Sequence, residues 1–213
     1  MSEVDTVVTV QLERLLSSFW HPPQPLWQEV VDDIHARGWP TMQISFEQAA
    51  LHGWLARLVG ARKVLEVGTY MGLSAIVFAT AIGDGGTVDS CELSEERAQL
   101  ARQWISRAGV ADRVTVHVGF ALETVARLPG PFDLAFLDAD KRDNLALLRL
   151  IVPKLSTNGL VLADNVFRGG DLGSEQPDSR AMREYLDAVR LDPRLDTVVL
   201  RVADGLAVSR LRS

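Results

Sequence analysis

Two short runs carry the residues best suited to chemistry. FDLAFLDADKRDN (132–144) ends an apolar stretch on Asp138, Asp140 and Lys141, and LVLADNVFRGG (160–170) ends another on Asp164 and Asn165. If both stretches are strands of one parallel sheet, Asp138, Asp164 and Asn165 reach the same edge. All three are hard oxygen donors with no thiolate or imidazole among them, a set that suits Mg²⁺, Mn²⁺ or Ca²⁺ rather than zinc or copper. A calcium EF-hand loop is excluded, because its fifth and sixth positions would fall on Arg142 and Asp143, where an oxygen ligand and glycine are needed. The plain alternative, carboxylates capping helices on ordinary loops, suits either run alone but not both at one edge.

Two further sites belong to the same kind of edge. LEVGTYMGLS (65–74) runs from a strand into a helix, with Gly68 and Gly72 permitting a tight turn and close approach of backbone to ligand. It lacks the G-x-G-x-x-G spacing of a dinucleotide fingerprint, so a nicotinamide oxidoreductase is disfavoured. Glu66 within it would repel a pyrophosphate and suit a cationic or amine-bearing ligand. In SCELSEER (90–97), Glu92 ends the next strand, where a carboxylate can accept both hydroxyls of a ribose; Glu95 and Glu96 are better read as helix-start charges.

These residues need a scaffold that gathers strand tips. From Lys63 onward, short β-rich runs (KVLEV, GTVDSCEL, RVTVHV, FDLAFLD, GLVLADN) alternate with helical segments near 73–82, 94–108, 121–127 and 142–153. That alternation predicts a parallel α/β sheet. After a helix near 178–190, TVVLRV and GLAVSRL are joined so tightly that they must form an antiparallel hairpin. Residues 1–60 read as a helical cap, part of the same domain as the 61–213 core, with helices at about 3–19, 25–37 and 45–59. The loop RGGDLGSEQPDS (168–179) belongs at the ligand edge.

Composition narrows the functional class. The 213-residue chain has 22 basic and 28 acidic residues, a net charge of −6, which disfavours nucleic acid as a partner. One cysteine, Cys91, rules out an internal disulfide and reads as a buried strand residue. With no signal-peptide pattern and no apolar run of membrane-spanning length, a cytoplasmic protein without a membrane partner is expected. His21, His35, His52 and His117 are scattered, and no G-x-S-x-G elbow exists, so a hydrolytic triad is unsupported. Trp20, Trp27, Trp39 and Trp54 read as packing residues of the cap.

Over about residues 41–210, from MQISFEQAALHGWLARLVGARKVLEVGTYMGLS to DGLAVSRL, the chain resembles the class I S-adenosylmethionine-dependent O-methyltransferases that need a divalent metal, the catechol and caffeoyl-CoA group. DADK followed by a strand ending in ADN is the specific part of the likeness. It implies a Rossmann-like methyltransferase fold: a seven-stranded, mostly parallel sheet with an antiparallel C-terminal hairpin and the N-terminal cap. It also implies that Glu66, Gly68, Thr69 and Ser74 line the methionine side of S-adenosylmethionine, with Ile44 approaching through its backbone. Glu92 would hold the ribose, Ala121 lie by the adenine, and Asp140 reach the amino acid end. Asp138, Asp164 and Asn165 would hold the metal, Mg²⁺ first and Mn²⁺ or Ca²⁺ next, and Lys141 would remove the proton.

The expected activity is methylation of a hydroxyl on a catechol-like or phenolic small molecule by a homodimer. The alternatives are a non-catechol natural-product hydroxyl and a catalytically silent cofactor-binding module; the intact metal set and Lys141 speak against the second. Plant members carry aromatic residues where this chain has Asn144 and Leu147, and asparagine where it has Gly169, which points away from a caffeoyl-CoA acceptor. Arg168, at the loop mouth, is expected to meet an anionic substrate group.

Overall fold

The computed structural model describes Leu15 and residues 25–212. Leu15 apart, the helix expected over 3–19 lies outside the described residues, as does Trp20. The remaining cap helices are α1 (Pro25–Ala36) and α2 (Phe46–Leu58). A single seven-stranded sheet follows, in the order β3-β2-β1-β4-β5-β7-β6. Its strands are β1 (Lys63–Val67), β2 (Thr87–Glu92), β3 (Val114–Val118), β4 (Phe132–Leu137), β5 (Leu155–Asp164), β6 (Leu195–Leu200) and β7 (Leu206–Leu211). The first five run parallel to one another, whereas β7 runs antiparallel to both β5 and β6. The expected sheet and hairpin are therefore present. Strand order reverses between β1 and β4, and that switch point opens a crevice at the C-terminal strand ends.

The central strands are apolar on both faces because both are covered. Val64, Leu134, Phe136, Leu160 and Leu162 belong to one core, while Leu65, Val67, Ala135, Leu137, Val161 and Ala163 belong to the other. The alternation follows the period of two along each strand. Helices α3 (Leu73–Ile82) and α4 (Glu95–Arg107) lie over the first core; α5 (Ala121–Arg127), α6 (Asn144–Ile151) and α7 (Pro177–Leu191) lie over the second.

Helix α3 is apolar nearly all round, with Leu73–Ala79 and Ile82 buried. Such a helix needs cover on its outer side as well as from the sheet. The cap supplies it. α2 packs on α3 closely enough that a Cβ at Gly53 would sit 3.5 Å from Val77 Cγ1. His52 on α2 is fully buried, stacked on Phe78 and edge-on to Phe136, and neither ring nitrogen has a partner. Burial pushes its pKa down to about 3, so it packs as a neutral aromatic ring.

Several local expectations are corrected. The helix expected over 142–153 is divided into 3₁₀ turns at Lys141–Asp143 and Val152–Lys154 around α6, the second containing Pro153, whose missing N–H cannot sustain a helical interior. β5 begins at Leu155, four residues before the expected Gly159, and accommodates Asn158 at φ 65° beside a register shift against β4. The polar loop contains a 3₁₀ turn at Arg168–Gly170 and gives way to α7 at Pro177. Trp54 is 51% exposed with Leu58, one turn on, at 63%: the two share the outward face of α2 and pack against no core. Among the described residues no helix is long and apolar enough to cross a membrane.

Tyr185 of α7 is fully buried, and its hydroxyl has no partner. An unpaired buried hydroxyl costs about 1–3 kcal/mol. Tyr185→Phe removes the hydroxyl and little else, so it should raise the melting temperature by roughly 2–4 °C per kcal/mol recovered, read by calorimetry. An unchanged or lowered melting temperature would show that the hydroxyl contributes to the fold.

Candidate active site

The tips of β1, β2, β4 and β5 surround a cavity of about 670 Å³, within the size range of small-molecule sites. Its walls include Ile44, Gly68, Thr69, Ser74, Glu92, Ala121, Asp138, Asp140, Lys141, Asp164, Asn165 and Arg168. Every expected site residue except Glu66 thus lines one space.

The backbone explains why the tips converge. Beyond the last residue of β1, the Gly68 N–H donates to the Cys91 carbonyl, and the Asp138 N–H donates back to Val67, so the ladder continues past the strand ends. Gly68 has φ 105°, and a Cβ there would lie 2.3 Å from the Asp138 carbonyl oxygen. Only glycine lets the β1 turn and the β4 tip meet. Gly72, at φ 83°, then starts α3 against Ala101 of α4.

On one side of the cavity, Glu92 is buried and accepts hydrogen bonds from the Tyr70 N–H (2.9 Å) and the Ser94 N–H (3.0 Å). Each carboxylate oxygen takes one backbone donor and keeps acceptor capacity for a diol. Glu66 lies beneath the wall rather than in it, wholly buried. One of its oxygens accepts from the Ser90 hydroxyl, which in turn pairs with the Thr69 hydroxyl in the wall at 2.5 Å. Its other oxygen, Oε1, has no partner. Burial pushes the Glu66 pKa up to about 7 against the opposing pull of the Ser74 and Ser90 hydroxyls, with Asp138 and Glu92 adding repulsion. Cys91, also in the wall, is pushed up to about 12 by burial and by the Glu66 and Asp89 charges, so it is a packed thiol.

On the other side, Asp138 and Asp164 come from adjacent strands. Burial raises the Asp138 pKa to about 6, opposed by Lys141 and reinforced by Asp164. Lys141, itself buried, donates from Nζ to Asp138 Oδ1 at 2.8 Å, a pairing made by the turn between them. The Asp164 pKa is also raised, first by burial. Asn165 takes φ 55°, a left-handed conformation asparagine tolerates, and its N–H donates to Asp164 Oδ1 at 2.8 Å. Among the described residues no three His, Cys, Asp or Glu side chains form a metal-holding group. An ion here would rest on two carboxylates and the Asn165 amide oxygen. That set fits a hard divalent cation, because its two carboxylates lie largely out of water and only Asp138 is paired with an ammonium, that of Lys141.

Two expected residues are already engaged. Asp140 caps the 3₁₀ turn through the Arg142 N–H and pairs with the Arg142 guanidinium, which holds its carboxyl below the usual range. Arg168 pairs with Asp178 at 3.3 Å, leaving its Nε buried without a partner, so its charge is partly spent before any substrate arrives.

Sequence reasoning missed Gln48. Its side-chain N–H donates to both Asp164 oxygens, at 2.9 and 2.8 Å, from the first turn of α2. The available signal was Ser45-x-x-Gln48, a capping box that sets this side chain at a helix start.

A family model described as O-methyltransferase matches residues 21–212. A catechol O-methyltransferase of Mycobacterium tuberculosis is 38% identical over 181 residues, covering 81% of this chain and 82% of that protein. A caffeoyl-CoA O-methyltransferase of Eucalyptus globulus is 27% identical over 213 residues, covering 93% of this chain and 87% of that protein. Among solved structures, the O-methyltransferase from Bacillus cereus in complex with SAH superposes with a TM-score of 0.89 at 29% identity, over 95% of this chain and 97% of that one.

The buried Glu66 carboxyl makes stability depend on pH. Its pKa is about 7 in the fold against an ordinary 4.5, so between those values the folded protein binds the extra proton and stability falls as pH rises. Above about pH 7 the buried charge costs on the order of 3 kcal/mol. Ligand-free Glu66→Gln should therefore melt above the wild type at pH 8, with the gap narrowing toward pH 5. An equal gap at both values would mean that Glu66 is charged in the fold throughout.

Proposed function

The chain belongs to the O-methyltransferase family, and from that premise we propose that it transfers a methyl group from S-adenosylmethionine to one hydroxyl of a catechol-like or phenolic small molecule, with a divalent cation. Membership makes it an enzyme that methylates oxygen; the acceptor class and the cation are the part added here. One observation carries the reading: Asp138, Lys141, Asp164 and Asn165 meet in one cavity beside the Gly68 turn.

The cofactor would lie along the β1 and β2 tips. Gly68, Thr69 and Ser74 would take its methionine side, Glu92 its ribose, Ala121 its adenine, and Ile44 would close over it by its backbone. Asp140 would reach the amino acid end from its Arg142 pair, and Glu66 would act from beneath the wall through Ser90 and Thr69. Asp138, Asp164 and Asn165 would hold the cation, which when bound supplies Lewis acidity toward a hydroxyl oxygen and a counter-charge for Asp138. Mg²⁺ suits these donors, with Mn²⁺ or Ca²⁺ as alternatives.

Methyl transfer needs the acceptor oxygen aligned with the methyl carbon and freed of its proton. Lys141 Nζ, buried at the cavity wall beside Asp138, would receive that proton as the neutral amine, the form that a cation bound at Asp138 would favour. Arg168, already paired with Asp178, would contribute shape more than charge, which suits a neutral phenol better than a strongly anionic acceptor. Two copies forming a homodimer fit this reading.

With labelled S-adenosylmethionine and a panel of catechols, flavonoids and hydroxycinnamates, transfer should stop in excess chelator and return with Mg²⁺ or Mn²⁺. Full turnover in chelator would overturn the cation. For the base, Lys141→Ala should slow single-turnover transfer by roughly 10²–10⁴. The loss should be largest for acceptors of high phenolic pKa and should shrink as pH rises. A uniform loss across acceptors and pH would assign Lys141 to positioning instead of proton removal.

A further inference from the structure

We propose that Gln48 is a positioning residue that holds the Asp164 carboxylate in its working orientation and indexes the cap to the tip of β5. The capping box settles which way its amide points. Gln48 Oε1 accepts the Ser45 N–H at 3.0 Å, while the Gln48 N–H donates to Ser45 Oγ at 3.1 Å. A backbone N–H can only donate, so the amide oxygen must face Ser45 and the NH₂ must face away. It faces Asp164. Nε2 lies within hydrogen-bond distance of both carboxylate oxygens, and the two side chains, 116 residues apart in the chain, are each 3% exposed.

Asp164 is thereby gripped from two directions. The Asn165 N–H holds Oδ1 from its own strand end, and Gln48 spans both oxygens from the cap. The residue type is informative. Capping boxes use glutamate or glutamine at this position, and glutamate would accept the Ser45 N–H equally well. It would also set a second carboxylate against Asp164 in a buried place, where like charges are costly. The amide is the choice that caps the helix and donates to the carboxylate at once. The same contact fixes the segment leading into α2, including Thr41, Met42, Gln43 and Ile44 of the cavity wall, relative to Asp164.

The proposal rests on the reading of Asp164 as a cation ligand only in its second readout. The first uses metal-free full-length protein and follows amide exchange at Asn165, whose N–H is bonded to the carboxylate in question. Gln48→Met removes the donor and should speed that exchange by about tenfold or more. Ser45→Ala loses the hydroxyl cap but keeps the Gln48 amide, so exchange at Asn165 should stay close to wild type even where the melting temperature falls. If Gln48→Met does not fold, Gln48→Glu, which keeps an acceptor for Ser45, should show the same acceleration. The second readout is a Mn²⁺ titration by electron paramagnetic resonance, in which Gln48→Met should weaken binding by roughly 10–100-fold, the range for partners of metal ligands, and Ser45→Ala should not. S-adenosylhomocysteine affinity should stay within about twofold in both. Unchanged Asn165 exchange on loss of the Gln48 amide, or equal acceleration in Ser45→Ala, would overturn the proposal. Equal Mn²⁺ binding by wild type and Asp164→Ala would remove the cation reading, leaving the exchange result to decide on Gln48.

Discussion

The C-terminal edge of the sheet gathers more negative charge than its surroundings neutralise. Glu66, Glu92 and Asp164 are buried there beside the half-buried Asp138, and among the described residues the one ammonium paired with any of them is that of Lys141. The raised pKa values of Glu66 and Asp138 express that imbalance, since burial penalises the charged form and neighbouring carboxylates add to the penalty. A fold tolerates such an arrangement when most of its acceptors are hydrogen-bonded and its stability comes from elsewhere. Here the stability lies in two apolar cores, one on each face of the sheet. Ligands that bring positive charge to this edge, such as a sulfonium or a divalent cation, meet a cavity already biased toward them.

The scaffold meets that constraint with backbone donors more than with counter-ions. Glu92 is held by the Tyr70 and Ser94 N–H groups, Asp164 by Asn165 and the Gln48 amide, and Glu66 by the Ser90 hydroxyl, itself paired with Thr69. Neutral donors fix a carboxylate in place without cancelling its charge, which is what a site for a cationic ligand requires. The contrast with the cavity mouth is instructive. Asp140 and Arg168 are each closed into an ion pair with a neighbour, so their geometry is set but less of their charge remains for a ligand.

The cap belongs to this arrangement. α3 is apolar on nearly every side and needs α2 above it, and once α2 is seated its first turn delivers Gln48 to Asp164 and the preceding residues to the cavity wall. Covering a helix and completing a site are one packing event.

Much of this was legible in the residues alone. The alternation of β-rich and helical runs identified the sheet because strand and helix periods are local, and the carboxylates of DADK and ADN stood out because each follows directly on an apolar run. The turn at Gly68 was readable for the same reason. Tertiary structure decided the rest. It put β4 beside β1, which made Gly68 and Asp138 neighbours; it set Glu66 beneath the cavity wall, turned Trp54 outward, spent Arg168 on Asp178, and brought Gln48 to Asp164. The physical reason is separation along the chain. A period of two or 3.6 residues shows which face of an element is apolar, but not which distant partner meets its polar side chains, and a contact across 116 residues exists only once the sheet order and the seating of the cap are settled.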